Sequence, residues 1–169
     1  PIPAGETAEM SFCIKADRSK WGRNYYWATP VINGKTYRNS DNSSRIGIWA
    51  ITKENFEGLS EEERAKAGRP KFETSTFSFG KVKRGTQIHA EYTFKNVGNT
   101  CFQVYKVDVD AENWSHSDIP GAKPGETVKF RVHLDTTGMP AGETLAIVSL
   151  TTNSPLRPIV NLFISGWLE

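Results

Sequence analysis

Apolar and polar residues alternate along two stretches in the second half of the chain. The apolar positions are Ile88, Ala90, Tyr92 and Phe94 in one stretch and Val128, Phe130, Val132 and Leu134 in the other. The polar positions between them are His89, Glu91, Thr93, Lys95, Lys129, Arg131, His133 and Asp135. Because successive side chains of a β-strand point to opposite faces, this period of two predicts two strands with one buried and one solvent-facing side.

Four further segments have the composition of strands. They are Phe72–Phe79, Phe102–Val109, Leu145–Thr152 and Ile159–Trp167. Turn signals separate them, such as Pro120-Gly121 and Pro124-Gly125. Short strands spaced roughly 8–12 residues apart, with turns of this kind between them, indicate an all-β sandwich.

One segment has the signals of a helix. Ser60 and Glu63 match a capping box, in which the serine hydroxyl accepts from the Glu63 amide and the Glu63 carboxylate accepts from the Ser60 amide. Gly68 and Pro70 are residues that end helices. The sequence therefore predicts a short helix over Leu59–Ala67, between two sheet-forming regions.

An internal repeat relates the two ends of the chain. Gly5-Glu6-Thr7 recurs 120 residues later as Gly125-Glu126-Thr127. Other matched pairs are Gly22 and Gly142, Asn33 and Asn153, and, after a polar loop at 35–44 in the first copy, Ile46 and Leu162, Ile48 and Ile164, and Ala50 and Gly166. A rival match of Pro3–Thr7 with Pro140–Thr144 fails, because the apolar register does not continue beyond it.

Four short motifs in the second copy occur in a characteristic order. They are Phe77–Val82, Tyr92–Gly98, Lys123–Glu126 and Thr151–Pro155. From about Phe72 to its end the chain resembles a bacterial family of unknown function, whose domains share the immunoglobulin-like sandwich of the ASH, major-sperm-protein and PapD-like group. Many members carry Cys-Gly-Cys after the third strand, where this chain has Ala111-Glu112-Asn113, so no thiol or metal role carries over. The resemblance implies export to the envelope of Gram-negative bacteria, in the periplasm or at the cell surface, often as a lipoprotein.

Repeat and resemblance together predict tandem immunoglobulin-like β-sandwiches joined by a short helix. The expected division is 1–56 for the C-terminal half of a first domain, 57–69 for a helical linker and 70–169 for a complete second domain. The second copy has more chain in front of it than the first, so the first is expected to lack its N-terminal half. Its missing strands would either have been removed or be supplied by another chain.

Composition narrows the choice of partners. The chain has 169 residues and a formal net charge of +2, from 21 basic and 19 acidic residues, which predicts neither nucleic-acid nor membrane binding. No window approaches the roughly 18 apolar residues of a membrane span. The start, Pro1–Glu6, is not a signal peptide, so any targeting segment is expected further upstream.

No motif for catalysis, for a cofactor or for a metal is present, and we expect no enzyme. The three histidines, His89, His116 and His133, are expected to be solvated surface groups. Three acids with a period of two, Asp108, Asp110 and Glu112, have two interpretations. They are either calcium ligands or a solvated edge face that resists the addition of another strand.

The aromatic residues of the first copy are the candidate site. The repeat register points seven residues toward a core: Tyr26, Ala28, Pro30, Ile32, Ile46, Ile48 and Ala50. Tyr25, Trp27 and Trp49 then point outward, where the second copy has Leu145, Ile147 and Ser165. An outward Tyr/Trp cluster is either a platform for sugar rings or a contact with protein, unless the faces are assigned the wrong way round.

The leading hypothesis is therefore a non-catalytic envelope or secreted module for protein interaction, adhesion or spacing, with self-association through the first-copy strands as one form of that interaction. The alternatives are a carbohydrate-binding module that uses Tyr25, Trp27 and Trp49, and a PapD-like assembly chaperone. The chaperone function needs an exposed edge strand. The sequence shows no basic pair that would anchor a partner's carboxyl terminus.

Overall fold

The computed structural model describes residues 5–7, 9, 11, 13, 20–38 and 45–169 of the chain. Residues 39–44 of the polar loop and much of the segment before residue 20 lie outside the described residues, so the predictions made for them are not compared with the structure. The elements are β1 Gly22–Ala28, β2 Val31–Ile32, β3 Lys35–Thr36, β4 Ile46–Thr52, α1 Glu61–Lys66, β5 Pro70–Phe72, β6 Thr76–Val82, β7 Gln87–Asn96, β8 Val104–Val109, β9 Trp114–His116, β10 Thr127–Asp135, β11 Gly142–Thr152 and β12 Ile159–Leu168.

Residues 70–169 fold into two four-stranded sheets that pack face to face. The first has the order β5-β7-β10-β9 and the second the order β6-β12-β11-β8. Neighbouring strands are antiparallel except for β6 and β12, which are parallel. This arrangement is an immunoglobulin-like β-sandwich, and it confirms the predicted all-β fold class.

The core between the sheets is formed by the alternating apolar residues. β7 and β10 pair so that Tyr92 lies opposite Phe130 and Ala90 opposite Val132. All eight apolar positions predicted to face inward on these two strands are buried. Thr93 was predicted to face solvent and is buried instead. It lies on a central strand between β5 and β10, where a small side chain is screened by longer neighbours such as its partner Lys129.

The strands differ from the sequence prediction in several places, among them the start of β11 at Gly142 instead of Leu145. The single strand expected over Phe72–Phe79 is two strands, because the chain crosses from one sheet to the other at residues 73–75. Phe102 lies outside β8 and forms an isolated bridge with Ala122. The three-residue strand β9 was not predicted at all.

The predicted helix is confirmed in a shorter form. Ser60 caps it, with its hydroxyl accepting from the Glu63 amide at 3.2 Å and the Glu63 carboxylate accepting from the Ser60 amide at 2.8 Å. The hydrogen bond from the Ser60 backbone lowers the pKa of the Glu63 carboxyl. Ala67 is already extended, so the helix ends before Gly68.

The end of β7 and the loop that follows it hold residues 67–69, between α1 and β5, against the sandwich. The buried Asn96 side chain accepts from the Arg69 amide at 3.0 Å, and the Val97 amide donates to the Arg69 carbonyl at 2.8 Å. Gly98 lies directly against the linker, since a Cβ there would collide with the Ala67 carbonyl and lie 2.6 Å from the Arg69 nitrogen. The chain therefore enters the sandwich from α1 in a fixed direction.

The buried phenol of Tyr92 makes the fold less stable at alkaline pH. Tyr92 is fully buried, and its hydroxyl donates to the Phe163 carbonyl at 2.8 Å. Burial raises the pKa of the Tyr92 phenol far above its usual value near 10. A raised folded-state pKa stabilises the fold fully below the unfolded pKa, and this contribution is lost as the pH rises through the folded-state pKa.

We therefore expect the free energy of unfolding to fall above about pH 10 by up to about 1.4 kcal/mol per pH unit from this residue alone. Tyr92→Phe should cost about 1 kcal/mol at pH 8, because the hydrogen bond is lost, and should remove this part of the alkaline decline. Urea unfolding of both proteins at pH 8 and pH 11 measures the difference. An identical alkaline slope in the two proteins would contradict the expectation.

Candidate functional site

Strands β1 and β4 form a two-stranded sheet, called the ribbon below, that carries the candidate residues. Tyr25 lies directly opposite Trp49, Trp27 opposite Gly47, and Arg23 opposite Ile51. These positions share one face of the ribbon. Tyr25 is 42% exposed, Trp27 47% and Trp49 69%. The structure thus brings the three predicted residues together on one accessible surface.

The three rings contact one another at angles. Tyr25 lies in the middle, with its ring centroid 4.6 Å from both tryptophans, at 82° to Trp27 and 44° to Trp49. Gly47 makes this possible, because a Cβ at that position would collide with the Tyr25 hydroxyl. The rings therefore form an uneven cluster and not a flat platform.

Arg45, just before β4, completes the cluster. Its guanidinium carbon lies 4.1 Å from the centre of the Trp27 ring, a cation–π contact. The Arg45 Nε atom is buried without a hydrogen-bond partner. Sequence alternation could not reveal this residue, because it precedes the strand and acts through ring stacking. We call the set Tyr25, Trp27, Arg45, Trp49 and Ile51 the aromatic face; Ile51 is 56% exposed.

The opposite face of the ribbon differs from the sequence prediction. Ile46 on β4 was predicted to face a core but is 51% exposed. Beyond the ribbon, Ile32 on β2 and Pro30 just before it were predicted to face the same core, and they are exposed as well. Tyr26 and Ile48 are only half-buried. The reason is that, among the described residues, no second sheet packs on the ribbon to bury this face. Alternation predicts which residues share a face but not whether another layer covers it.

Polar contacts join the ribbon to the sandwich. The Arg23 amide donates to Asp108 Oδ2 at 3.1 Å, and the Arg23 guanidinium donates to Ser149 Oγ at 3.2 Å. Trp21 stacks on Tyr105 with ring centroids 4.8 Å apart. A Cβ at Gly22 would collide with the Asp108 carboxylate, so the close approach depends on glycine.

The three acids considered as calcium ligands do not converge. Asp108 is bonded to the Arg23 amide and forms an ion pair with Lys106 at 2.9 Å. Asp110 accepts from the Ile147 amide. No group of three potential ligand residues that could hold a metal occurs in the part of the chain that the structure describes. Asp108 thus joins the ribbon to β8, and Asp110 joins the end of β8 to β11.

The other candidate groups lie apart from the aromatic face. His89 and His133 project from the first sheet of the sandwich, and His116 is on β9. Cys13 and Cys101 are exposed and do not form a disulfide.

Within the described ranges, no helix has the length and apolar character needed to cross a membrane.

This chain is similar to a known sequence family and to proteins of known structure. The profile of a family described as "Protein of unknown function (DUF1573)" matches residues 70–167. A solved protein of unknown function from Porphyromonas gingivalis W83 is similar with a TM-score of 0.65 and 19% identity, over 90% of this chain and 68% of that one. At this identity the likeness supports the fold alone.

Two further solved structures show weaker similarity. The secreted serine protease VesC from Vibrio cholerae has a TM-score of 0.46 and 10% identity, over 76% of this chain and 28% of that one. The ASH / PapD-like domain 7 of human CEP192 has a TM-score of 0.45 and 9% identity, over 71% of this chain and 96% of that one. No curated protein matches the sequence.

Proposed function

We propose, from the premise that this chain belongs to the DUF1573 family of proteins of unknown function, that it is a non-catalytic module whose aromatic face binds protein. The observation that carries the proposal is the exposure of Tyr25, Trp27 and Trp49 beside one another on the ribbon. Tryptophan, tyrosine and arginine are the residues most enriched at the energetic centres of protein interfaces. The aromatic face contains all three types.

Burial of this face by a partner would release considerable free energy. Each large aromatic side chain gains about 1.5–3 kcal/mol when it moves from full exposure to full burial, and these are already about half-buried on average. The cation–π contact between Arg45 and the Trp27 ring would become stronger when a partner excludes water from it.

The open edges of the ribbon supply a second mode of contact. In the second sandwich, β11 is flanked by β8 as well as β12, and β12 also pairs with β6. In the ribbon, β1 and β4 pair only with each other among the described residues. Unpaired strand edges can accept another strand, so self-association through these strands fits the same proposal.

The predicted domain division is part of the proposal. Under the repeat, Tyr25 and Trp49 correspond to Leu145 and Ser165, and both pairs lie directly opposite one another in their hairpins. Gly22 and Gly142, also matched, both have positive φ. These agreements support a first unit at 1–56, a linker at 57–69 and a second unit at 70–169.

Removal of Trp49 should separate the full-length protein from its partner. We expect the native protein to sediment as a species larger than its monomer, through self-association or a bound protein, and Trp49→Ser to sediment as a monomer. Trp167→Ser is the matched control, because Trp167 is 47% exposed on the second sandwich. A native protein that is monomeric and has no partner would count against the proposal.

A carbohydrate-binding function is the second candidate. Its support is Trp49, a residue that is 69% exposed and whose ring could stack on a sugar. Against it stand the steep angle between Tyr25 and Trp27 and the Arg45 guanidinium on the Trp27 ring, since sugar stacking needs open ring faces. A glycan array with the native protein and Trp27→Ala decides: binding to no glycan would remove this candidate.

An assembly chaperone is the third candidate, since the ribbon has open strand edges. Binding of an extended peptide along β4 would support it.

Export to the periplasm or cell surface, with lipid attachment in some members, is proposed from the family resemblance. Fractionation of a Gram-negative host that expresses the full-length gene tests this location. Recovery of the protein in the cytosol would contradict it.

A further inference from the structure

A pair of histidines on the outer face of the first sheet forms a second site, unrelated to the aromatic face. We propose that His89 and His133 bind a divalent transition-metal ion, of the Cu²⁺, Ni²⁺ or Zn²⁺ class, through their Nδ1 atoms. They lie on the β5-β7-β10-β9 sheet, whereas Arg23 of the ribbon bonds to Ser149 on β11 of the other sheet.

The backbone register places the two rings against one another. His89 and His133 are direct partners in the antiparallel pairing of β7 with β10. Their ring centroids are 4.7 Å apart at an angle of 76°, and the two Nδ1 atoms are 2.5 Å apart. At this distance the two Nδ1 atoms share one hydrogen, and both are aimed at the same point, as two ligands of one ion would be.

Ligation requires only a small adjustment of the rings. Metal–nitrogen bonds to histidine are about 2.0–2.1 Å long, so two ligands at an angle of about 90–110° lie about 3 Å apart. The Nδ1 atoms must separate by less than 1 Å from their present 2.5 Å. His89 is exposed and His133 half-buried, so side-chain rotation can provide this.

The neighbouring carboxylates are already engaged. Glu91 accepts from the Arg131 guanidinium at 2.9 Å and pairs with Lys129 at 3.5 Å. Asp135 Oδ1 accepts from the Thr137 amide at 2.8 Å. The site therefore has two imidazole ligands, and its other coordination positions are open to water or to a ligand from another molecule. Imidazole without carboxylate selects transition metals over Ca²⁺ and Mg²⁺.

The test is calorimetric titration of the untagged full chain with Ni²⁺, in a background carrying Cys13→Ser and Cys101→Ser so that the exposed thiols do not bind the metal. We expect one equivalent of Ni²⁺ to bind, and His89→Asn and His133→Asn each to weaken binding at least about tenfold, because the second ligand acts at a high effective concentration.

His116→Asn is the matched control, because that residue lies on β9 with its Nδ1 2.7 Å from the Ser117 carbonyl. It should bind Ni²⁺ as the parent does, and Mg²⁺ should not bind to any of these proteins. Absence of Ni²⁺ binding by the parent would overturn the proposal. So would undiminished binding by either His89→Asn or His133→Asn, or an equal loss in His116→Asn.

Discussion

Replacement of Asn96 by leucine is expected to lower the free energy of unfolding by about 3–5 kcal/mol, because it removes four hydrogen bonds that a buried side chain makes to the backbone. The Asn96 side-chain amide donates to the carbonyls of Thr100 and Ala122, both at 2.8 Å. Its side-chain oxygen accepts from the amides of Arg69 and Gly98, both at 3.0 Å. Leucine has similar bulk but satisfies none of these four groups.

Asn96→Asp should also destabilise strongly, because an acceptor oxygen would then face two carbonyl oxygens. Asn99→Ala is the control: that side chain is exposed, and the expected change is within about 0.5 kcal/mol. Urea unfolding followed by tryptophan fluorescence measures all three variants. A loss below about 1 kcal/mol for Asn96→Leu would show that this side chain does not organise the junction between the linker and the sandwich.

Phe94→Ala is expected to cost about 3–5 kcal/mol, the usual range for a buried phenylalanine that leaves a cavity. The Phe94 ring is fully buried. Its centroid lies 5.3 Å from the ring centroid of Phe72, 5.2 Å from that of Phe102 and 6.4 Å from that of Phe130. It therefore joins β5, β7, β10 and the loop before β8. Thermal unfolding should show a fall in Tm of about 4–8 °C for each kcal/mol.

Phe94→Leu should cost less than Phe94→Ala, because leucine fills part of the cavity. Leu145→Ala provides the surface control: Leu145 is 60% exposed, and its truncation should change stability by no more than about 0.5 kcal/mol. Equal losses at Phe94 and Leu145 would mean that the core is not centred on the aromatic cluster of β7.

Local patterns in the sequence were sufficient to predict much of the sandwich. The alternation around Tyr92 and Phe130 requires only one buried face per strand, and both residues are buried. The capping box at Ser60 is a contact between residues three apart, so it too could be read locally. The crossing at residues 73–75 could not, because no glycine or proline marks it and the change of sheet is decided by tertiary packing.

The candidate site, too, could be predicted from the sequence only in part. Alternation was enough to place Tyr25 and Trp27 on one side of a strand. It could not show that Ile46 would be exposed on the other side, since that depends on a layer packed against the ribbon. It also could not find the Arg45 contact or the direct opposition of His89 and His133, because both depend on how distant segments are registered.

Site-specific photocrosslinking in cells tests the central claim, that the aromatic face is a protein contact, most directly. Benzoylphenylalanine is introduced in place of Trp49 in the full-length protein, and in place of Leu145 as an exposed control on the second sandwich. The predicted result is a discrete crosslinked product at position 49, with another copy or with a different protein, and none at position 145. No product at position 49, or equal products at both positions, would contradict the claim.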